Sequence, residues 1–365
     1  MIISGQNVNQ NSKVLIIAEA GINHDGNFGQ ALQLIDAAVE AKADVVKFQL
    51  FKASKMYTKN AGDYVTAKGN KENIVELLEQ VELPYDWIPK LMEYCKQKGI
   101  GFLCTVCDEE AGDELERAGS DAFKMASYAI THLPLMKHVA KKQKPVIFSS
   151  AGANISEVEN ALNTIKGEGN HQIVLMHCVA KYPAPLESTN MNVLDTFKNA
   201  FPDIVLGYSD HTEDPINAPV AAVLKGAKVV EKHFTIDKNL PGADHCFALN
   251  PNELKMMVNA IRDAEQKIKV GLNVAVDPVV YGSSEKKVYE IERTIREFAY
   301  RCIFATKDLK KGQIIDIKNT AILRPGESKR GIEPKYYELL LSRKVKVNKD
   351  IESGNSIKWE DVFNL

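Results

Sequence analysis

Two strand-like runs, Gly207–His211 (GYSDH) and Val229–His233 (VVEKH), each end in a histidine. A segment with helical spacing, 217–225, separates them. Parallel strands joined by such a crossover helix lie close together in a sheet, so we expect both imidazoles to point to one place. Two imidazoles can hold a divalent metal that keeps open coordination positions, as a Lewis acid requires. Taken singly, each histidine is equally well explained as a hydrogen-bonded core residue.

The same strand–helix alternation extends in both directions from these two runs. The predicted strands are Leu15–Ala20, Asp44–Gln49, Gly101–Thr105, Ala122–Ala126, Pro145–Ser150, Gln172–His177, Ile204–Ser209 and Lys228–His233. The predicted helices are Gln30–Lys42, Tyr85–Lys98, Glu109–Ala118, Leu133–Lys142, Ile155–Gly167, Val193–Ala200, Asn217–Lys225 and Asn252–Lys269. This pattern predicts a (β/α)8 barrel over residues 1–269. A doubly wound open sheet is the alternative, but no strand is followed by a G-x-G-x-x-G turn.

Two parts of the chain lie outside the repeating pattern. Leu50–Pro84 is too long for a plain loop, and it contains a predicted helix, Lys71–Gln80, that would lie at the C-terminal face of the barrel. Residues 270–292 are interpreted as a linker. Residues 293–365 hold two similar passages, Lys307–Ile315 and Lys349–Ile357, which predict a small, mainly β domain with internal pseudo-symmetry.

Composition excludes several classes of partner. The chain of 365 residues has a formal net charge of -2, so no strong attraction to nucleic acid or to a membrane surface is expected. We find no apolar stretch of about 18 residues and no signal peptide pattern near Met1. The six cysteines are scattered, which favours reduced thiols and a cytoplasmic location. Cys104 and Cys107 have redox-motif spacing, but Cys104 lies within a predicted strand.

Charged residues follow the apolar parts of the predicted strands. Lys47 and Lys124 are the most informative, because cations at these positions can hold a small multiply charged anion such as a phosphate or a carboxylate. Structural ion pairs with Glu19 or Glu231, or a Schiff-base role for one lysine, are the alternatives. Serines at neighbouring strand ends can donate hydrogen bonds to the same anion.

Three further residues are candidates at the same rim. Glu231 can orient a metal-binding imidazole, since such a ring usually donates its second N–H to a carboxylate or a carbonyl. His177, which ends the sixth strand, is a weaker metal ligand candidate. Asp244 follows the eighth strand and can act as a base or orient a substrate hydroxyl.

Together these segments resemble the sialic acid synthase family. The resemblance is carried by Ala18–Gly26, Val46–Gln49, Gly207–His211 and Glu231–Thr235, and by Ile322–Gly326 of a tail that resembles the family's antifreeze-like (SAF) domain. Within the family, Cys178–Pro185 and Asn239–His245 are most similar to the branch that makes bacterial spore coat polysaccharide. The resemblance covers nearly the whole chain in order.

The resemblance implies a reaction and a set of roles. Phosphoenolpyruvate would condense with an N-acylated amino sugar, such as N-acetylmannosamine, to give a sialic-acid-like 2-keto-3-deoxy acid and phosphate. The metal, Mn²⁺ or else Mg²⁺ or Co²⁺, would bind His211 and His233. The catalytic residues would be Glu19, Lys47, Lys124 and Asp244. The substrate-binding residues would be Thr105, Ser127, Ser149, Tyr182, Ser209 and Arg324, the last supplied by the partner subunit of a domain-swapped homodimer.

Two positions depart from the family pattern. Ala129 stands where the family carries a glutamate that contacts the amino sugar, and Ala180 stands where the sialic-acid-forming branch has an asparagine. A methyl group cannot replace the hydrogen bond of a carboxylate. An impaired variant or a sugar-binding pseudoenzyme is therefore an alternative hypothesis. A barrel synthase acting on a phosphorylated aldose is another, and it would not need the tail that carries Arg324.

Overall fold

The computed structural model describes residues 1–363 and contains a closed barrel of eight parallel strands. The strands follow one another around the barrel in chain order, and the eighth pairs with the first to close the ring. They are β1 (Leu15–Gly21), β2 (Val45–Leu50), β3 (Gly101–Val106), β4 (Phe123–Met125), β5 (Val146–Ser149), β6 (Ile173–His177), β7 (Val205–Asp210) and β8 (Val229–His233). The predicted barrel is confirmed, and the open sheet is excluded.

Eight helices surround the barrel. They are α1 (Phe28–Glu40), α2 (Trp87–Lys98), α3 (Glu109–Arg117), α4 (Leu133–Ala140), α5 (Ile155–Gly167), α6 (Val193–Ala200), α7 (Asn217–Leu224) and α8 (Pro251–Lys269). Local sequence fixes several of their starts. Asn154 and Asn250 each accept a hydrogen bond from a backbone N–H in the first turn, and Glu157 and Glu253 accept one from the backbone N–H of these asparagines, which forms capping boxes at α5 and α8.

Side chains along the strands alternate between the barrel interior and the outer surface that packs against the helices. Both sets are apolar, and charged side chains follow in the interior near the strand ends. Leu15 and Ile17 point into the barrel, where they pack with residues such as Val45 and Val229, whereas Ile16 and Ala18 pack outward against the helices. Glu19 is the next inward residue on β1. The barrel interior is therefore apolar up to the level at which the strands end, and charged side chains begin there.

A short hairpin closes the N-terminal end of the barrel. Its strands are Ile2–Ile3 and Gln6–Asn7, and Ile3 and Val8 are buried in the interior apolar cluster. The open end of the barrel is therefore the C-terminal one, where active sites lie in this fold.

The insertion after β2 has its own structure. It contains the helix Ala53–Met56, an antiparallel pair of strands, Asp63–Val65 and Lys71–Asn73, and the helix Ile74–Glu79. The prediction of one helix over 71–80 was wrong at its first three residues. These pair with Asp63–Val65, and Asn73 caps the shorter helix by accepting from the N–H groups of Val75 and Glu76.

The C-terminal region contains α9 (Arg293–Ala299), antiparallel strands β9 (Cys302–Ala305) and β10 (Thr320–Leu323), and α10 (Tyr337–Ser342). The two similar passages lie side by side, since Leu309 and Ile351 exchange backbone hydrogen bonds of 2.8 and 2.9 Å. The segment before α9 runs along the barrel, where the amide of Met191 donates to the carbonyl of Val280. No helix within residues 1–363 is long and apolar enough to span a membrane.

Candidate active site

Four buried charges alternate across the C-terminal end of the barrel interior. Lys47 Nζ lies 2.7 Å from Glu19 Oε2 and 3.6 Å from Glu231 Oε1, and Lys124 Nζ lies 3.3 Å from the same Glu231 oxygen. Each of the four residues is at most 4% exposed. Register accounts for this arrangement, since Glu19 of β1 pairs with Lys47 of β2 and both face the barrel interior. We call these four residues the charged layer.

Neutral polar side chains complete the charged layer. Lys47 donates to Thr105 Oγ1 at 2.7 Å and Lys124 donates to Ser149 Oγ at 2.9 Å. Ser209 Oγ donates to Glu231 at 3.2 Å, and Gln49 Nε2 donates to Glu19 at 2.8 Å. The structure thus brings together the predicted residues Glu19, Lys47, Thr105, Lys124, Ser149 and Ser209.

Burial and pairing set the protonation of this layer in different ways. Burial raises the pKa of Glu231, but Lys124 and Lys47 outweigh it and bring the pKa to about 2. For Glu19 burial outweighs the attraction of Lys47, and its pKa is raised. Burial also lowers the pKa of Lys124, although Glu231 opposes this shift. An added anion would therefore stabilise the charged form of Lys124.

His211 and His233 lie next to each other above the charged layer, with ring centroids 5.5 Å apart. The Nδ1 atom of His211 lies 2.7 Å from the carbonyl oxygen of Val179. A carbonyl only accepts, so Nδ1 carries the proton and Nε2 keeps its lone pair, with the Cys178 Sγ atom 3.6 Å away. Burial lowers the pKa of His233 to about 3, and its Nδ1 is buried without a hydrogen-bond partner. Two neutral imidazoles with unused nitrogens fit a divalent metal that takes its remaining ligands from substrate or water.

Two predictions about residues at the C-terminal ends of the barrel strands were wrong. Glu231 does not orient either imidazole, since its Oε1 bonds to Lys124 and Ser209 and its Oε2 has no hydrogen-bond partner among the described residues, and the Val179 carbonyl orients His211 instead. His177 is not a ligand, because it points away from the barrel interior, packs against Phe197 and lies 2.7 Å from the Thr189 carbonyl. Within residues 1–363, no cluster of three or more His, Cys, Asp or Glu side chains is arranged to hold a metal.

Asp244 lies beside the histidines. Its Oδ2 atom is 3.7 Å from His233 Nδ1, and burial together with the nearby Glu19 raises its pKa to about 7. The loop that carries it is held by His245, whose ring lies 2.6 Å from Thr235 Oγ1 and 2.9 Å from an Asp25 oxygen. A carboxyl with such a pKa can both give and take a proton near neutral pH.

A cavity of about 170 Å³ opens above the histidines. Its polar residues are Gln49, Tyr64, Tyr128, Tyr182, His233, Asp244 and Arg324, and its apolar wall includes Ile22, Phe51, Met56, Ile74, Leu77, Phe247, Ile295 and Phe298. Tyr182 packs against the ring of His211 with centroids 4.1 Å apart and receives a hydrogen bond from Tyr128. Most of the wall is therefore apolar, and Tyr182, His233 and Asp244 are the polar groups beside the proposed metal site.

Ala129 does not line this cavity. The short helical turn Ser127–Ala129 directs Tyr128 toward the opening, whereas the Ala129 side chain is buried in the apolar cluster between barrel and helices. Ser127 lies next to the charged layer, and its Oγ accepts from the amide of Ala151 at 3.0 Å. A longer polar side chain at position 129 would have to be buried among apolar residues.

Arg324 closes the cavity from the side of the C-terminal domain. Its guanidinium carbon lies 5.6 Å from the ring centroid of Tyr57 and 5.1 Å from that of Tyr128, and its Nε is buried without a hydrogen-bond partner. The Arg324 amide donates to the Met56 carbonyl at 2.7 Å. In this structure the arginine therefore reaches the barrel of its own chain, whereas the family resemblance implied an arginine from a partner subunit.

The sequence interpretation missed several of these site residues. Gln49 carried a usable signal, since it stands two positions after Lys47 on the same strand and so faces the same side. No such signal marks Tyr57, Tyr64 or Phe247 in the sequence, because they lie in loops or in the insertion and reach the site only through the tertiary fold.

Comparison with known proteins agrees with this site. Residues 34–272 match the NeuB family, and residues 300–362 match the SAF domain. The chain belongs to the NeuB family. The resemblance to sialic acid synthases is thus confirmed, and the C-terminal region is a SAF domain.

Similar proteins from several organisms cover almost the entire chain. The Bacillus subtilis spore coat polysaccharide biosynthesis protein SpsE is 52% identical over 99% of this chain and 96% of its own length. Its crystal structure covers 100% of this chain and 99% of its own, with a TM-score of 0.89. The N,N'-diacetyllegionaminic acid synthase of Campylobacter jejuni is 38% identical over 91% of this chain and 95% of its own length. The chain is therefore a NeuB-family synthase of the sialic acid type.

Proposed function

We propose that this protein condenses phosphoenolpyruvate with an N-acylated amino sugar and releases phosphate. The observation that carries the proposal is the pair of buried lysines, Lys47 and Lys124, directly below two neutral histidines. A phosphate- and carboxylate-bearing substrate needs such cations, and an aldehyde needs an electrophile beside it. The names of the relatives, which include synthases of diacetyllegionaminic and pseudaminic acids, support the same class of product.

In the proposed reaction, the methylene carbon of phosphoenolpyruvate forms a bond to the aldehyde carbon of the sugar. Water adds to the neighbouring alkene carbon, and the C–O bond to phosphate breaks, which leaves a 2-keto-3-deoxy acid. Lys47 and Lys124, with Thr105, Ser127, Ser149 and Ser209, hold the phosphoenolpyruvate anion. Asp244, with its pKa of about 7, exchanges protons at the reacting oxygens, and Glu19 holds Lys47 in place.

The metal site and the acceptor site follow from the same arrangement. A divalent ion, Mn²⁺ in our proposal, would be held by His211 and His233 and would polarise the aldehyde oxygen. Tyr182 and Arg324 would contact the acceptor sugar in the cavity. The 52% identity to SpsE supports a role of the product in spore coat or surface polysaccharide, and the six free cysteines fit a cytoplasmic location. Ala129 does not line the cavity, which supports an active synthase over the impaired-variant alternative.

The test is phosphate release from phosphoenolpyruvate by metal-stripped protein, with and without Mn²⁺. N-Acetylmannosamine, its 6-deoxy analogue and a diacetamido-trideoxy hexose would serve as acceptors. We expect release that requires both the metal and one sugar, and that His211→Ala abolishes. His171→Ala, a change at an exposed histidine, is the matched control and should leave the rate unchanged. Metal-independent release, or none with any sugar, would contradict the proposal.

A further inference from the structure

Glu292 is a buried carboxylate in the segment that joins the barrel to the SAF domain, and it contacts two loops of the barrel. It is 1% exposed and ends the short helical turn Glu290–Glu292. Its Oε1 accepts from the amides of Gly152 at 2.7 Å and Ala180 at 2.9 Å, and its Oε2 accepts from the amide of Tyr289 at 3.0 Å. Hydrogen bonds to an ionised acceptor are about twice as strong as neutral ones, so these contacts fix both barrel loops firmly.

The hydrogen bond from Ala180 connects Glu292 to His211, one of the two proposed metal ligands. The Ala180 N–H and the Val179 carbonyl belong to one peptide group, and this carbonyl receives the Nδ1 proton of His211 at 2.7 Å. The carboxylate, the peptide group and the imidazole thus form one hydrogen-bonded chain, in which each bond polarises the next. This chain holds the His211 ring in the tautomer that leaves Nε2 unprotonated.

The hydrogen bond from Gly152 connects Glu292 to the part of the site where Lys124 and Ser149 would bind the anion. Gly152 follows the loop in which Ser149 receives a hydrogen bond from Lys124 and the Ala151 amide donates to Ser127. Other residues of the same C-terminal segment reinforce this loop. Tyr300 Oη donates to the Ala151 carbonyl at 2.6 Å, and Arg296 bonds both the Gly152 carbonyl and Glu157.

We propose that Glu292 is a positioning residue that couples docking of the segment leading into the SAF domain to the geometry of His211 and of the Ser149 loop. This inference rests on the proposed function for what the two loops bind. A single side chain from outside the barrel bonds the loops that follow two adjacent strands, β5 and β6. Removal of its carboxylate would free the Val179–Ala180 peptide to rotate and the His211 ring to turn with it.

The test compares Glu292→Ala and Glu292→Gln with a control, Asp361→Ala. Asp361 is likewise a buried acid, but it lies within the SAF domain, where it accepts from the Lys358 amide and pairs with Lys349, far along the chain from the barrel loops. Mn²⁺ affinity of the metal-stripped proteins is measured by electron paramagnetic resonance. The values of kcat and KM for phosphoenolpyruvate are measured by phosphate release, and folding is measured by circular dichroism.

For Glu292→Ala we expect Mn²⁺ affinity to fall by about tenfold, as for losses of outer-shell partners of a ligand, together with a fall in kcat. Glu292→Gln should lie between this variant and the wild type, because its amide oxygen still accepts from Gly152 and Ala180 while its NH₂ group faces the Tyr289 amide. If Glu292→Ala does not fold, the comparison of Glu292→Gln with the wild type is the test. Asp361→Ala should lower the melting temperature and leave Mn²⁺ affinity unchanged.

Two results would overturn the inference, and they are distinguishable. Glu292 variants that are folded and match the wild type in Mn²⁺ affinity and kcat would show that Glu292 has a merely structural role. A wild-type protein that neither binds Mn²⁺ nor releases phosphate would instead remove the proposed function and the inference with it.

Discussion

Glu231 is the residue on which the charge balance of the barrel interior depends. It is shared by Lys47 and Lys124, whereas Glu19 pairs with Lys47. Loss of one partner from a buried ion pair leaves an uncompensated charge and costs about 3–5 kcal/mol. Glu231→Gln should therefore lower the free energy of unfolding by about that amount, measured by urea denaturation at pH 7.

A double variant provides the control for this prediction. Lys124→Met combined with Glu231→Gln removes both charges, so it should recover part of the stability that Glu231→Gln loses. A loss below 1 kcal/mol in the single variant, or no recovery in the double one, would contradict the interpretation of Glu231 as a shared counterion.

His177 predicts a pH dependence of stability. Burial lowers its pKa to about 3 in the folded chain, whereas an unfolded histidine titrates near 6.5. Between these values the unfolded state binds one more proton, so stability falls as pH falls through this window, by about 1.4 kcal/mol per pH unit for this group. His177→Gln should reduce the slope of unfolding free energy against pH by that amount between pH 6 and 4. An unchanged slope would show that His177 titrates normally.

At the residue scale, sequence predicted inward-facing groups well and backbone-mediated contacts poorly. Lys47, Glu231 and His233 follow apolar strand residues, and a period of two fixes the face on which they lie. Glu292 was not predicted as functional, because it lies where the repeating pattern weakens. Its partners are backbone amides, and such contacts cannot be recognised from the residue types in the sequence.

At the scale of elements, the insertion after β2 and the SAF domain meet in a close backbone contact. Gly326 has φ +60, and a Cβ there would lie 2.1 Å from the Ala61 carbonyl oxygen. Gly326→Ala should therefore strain the backbone by about 1–3 kcal/mol and push the insertion away from Arg324, which raises KM for the acceptor sugar. Steady-state kinetics on purified variants would measure this effect.

Gly312→Ala is the matched control for this element contact. Gly312 has φ +85, but a Cβ there meets no atom within 4 Å. It should therefore lose comparable stability from backbone strain and keep the wild-type KM. Equal KM changes in both variants would mean that general loss of stability, and not the contact with the insertion, controls acceptor binding.

The limits of the strands were predictable because β-branched runs bounded by polar residues define them. Predicted and observed ends of β1 and β8 differ by one residue at most. The hairpin strand Lys71–Asn73 was not predictable, since its residues continue the helical spacing of Ile74–Glu79 and only pairing with Asp63–Val65 makes it a strand.

At the scale of the whole molecule, the structure predicts that one chain completes its own site. Mixing Arg324→Ala with His211→Ala protein, after partial unfolding and reassembly, tests this. If Arg324 acts within its own chain, no mixed assembly contains an intact site and phosphate release stays absent. If dimers exchange SAF domains, random reassembly would restore about one quarter of wild-type sites by simple combination, and the prediction would be wrong. The motifs identify Arg324 but not the barrel it reaches, and only the family resemblance implied that it belongs to the site of a partner subunit.

The depth of the charged layer bears on the order in which substrates would enter the site and products would leave it. Exposure falls from 8% at His233 to 5% at His211 and to 1–2% at Lys124 and Lys47, so a small anion reaches the lysines by passing the histidines and the cavity above them. A sugar that fills this cavity blocks the passage. In the proposed reaction, phosphoenolpyruvate would therefore enter first and inorganic phosphate would leave after the long product, so phosphate should compete with phosphoenolpyruvate and not with the sugar.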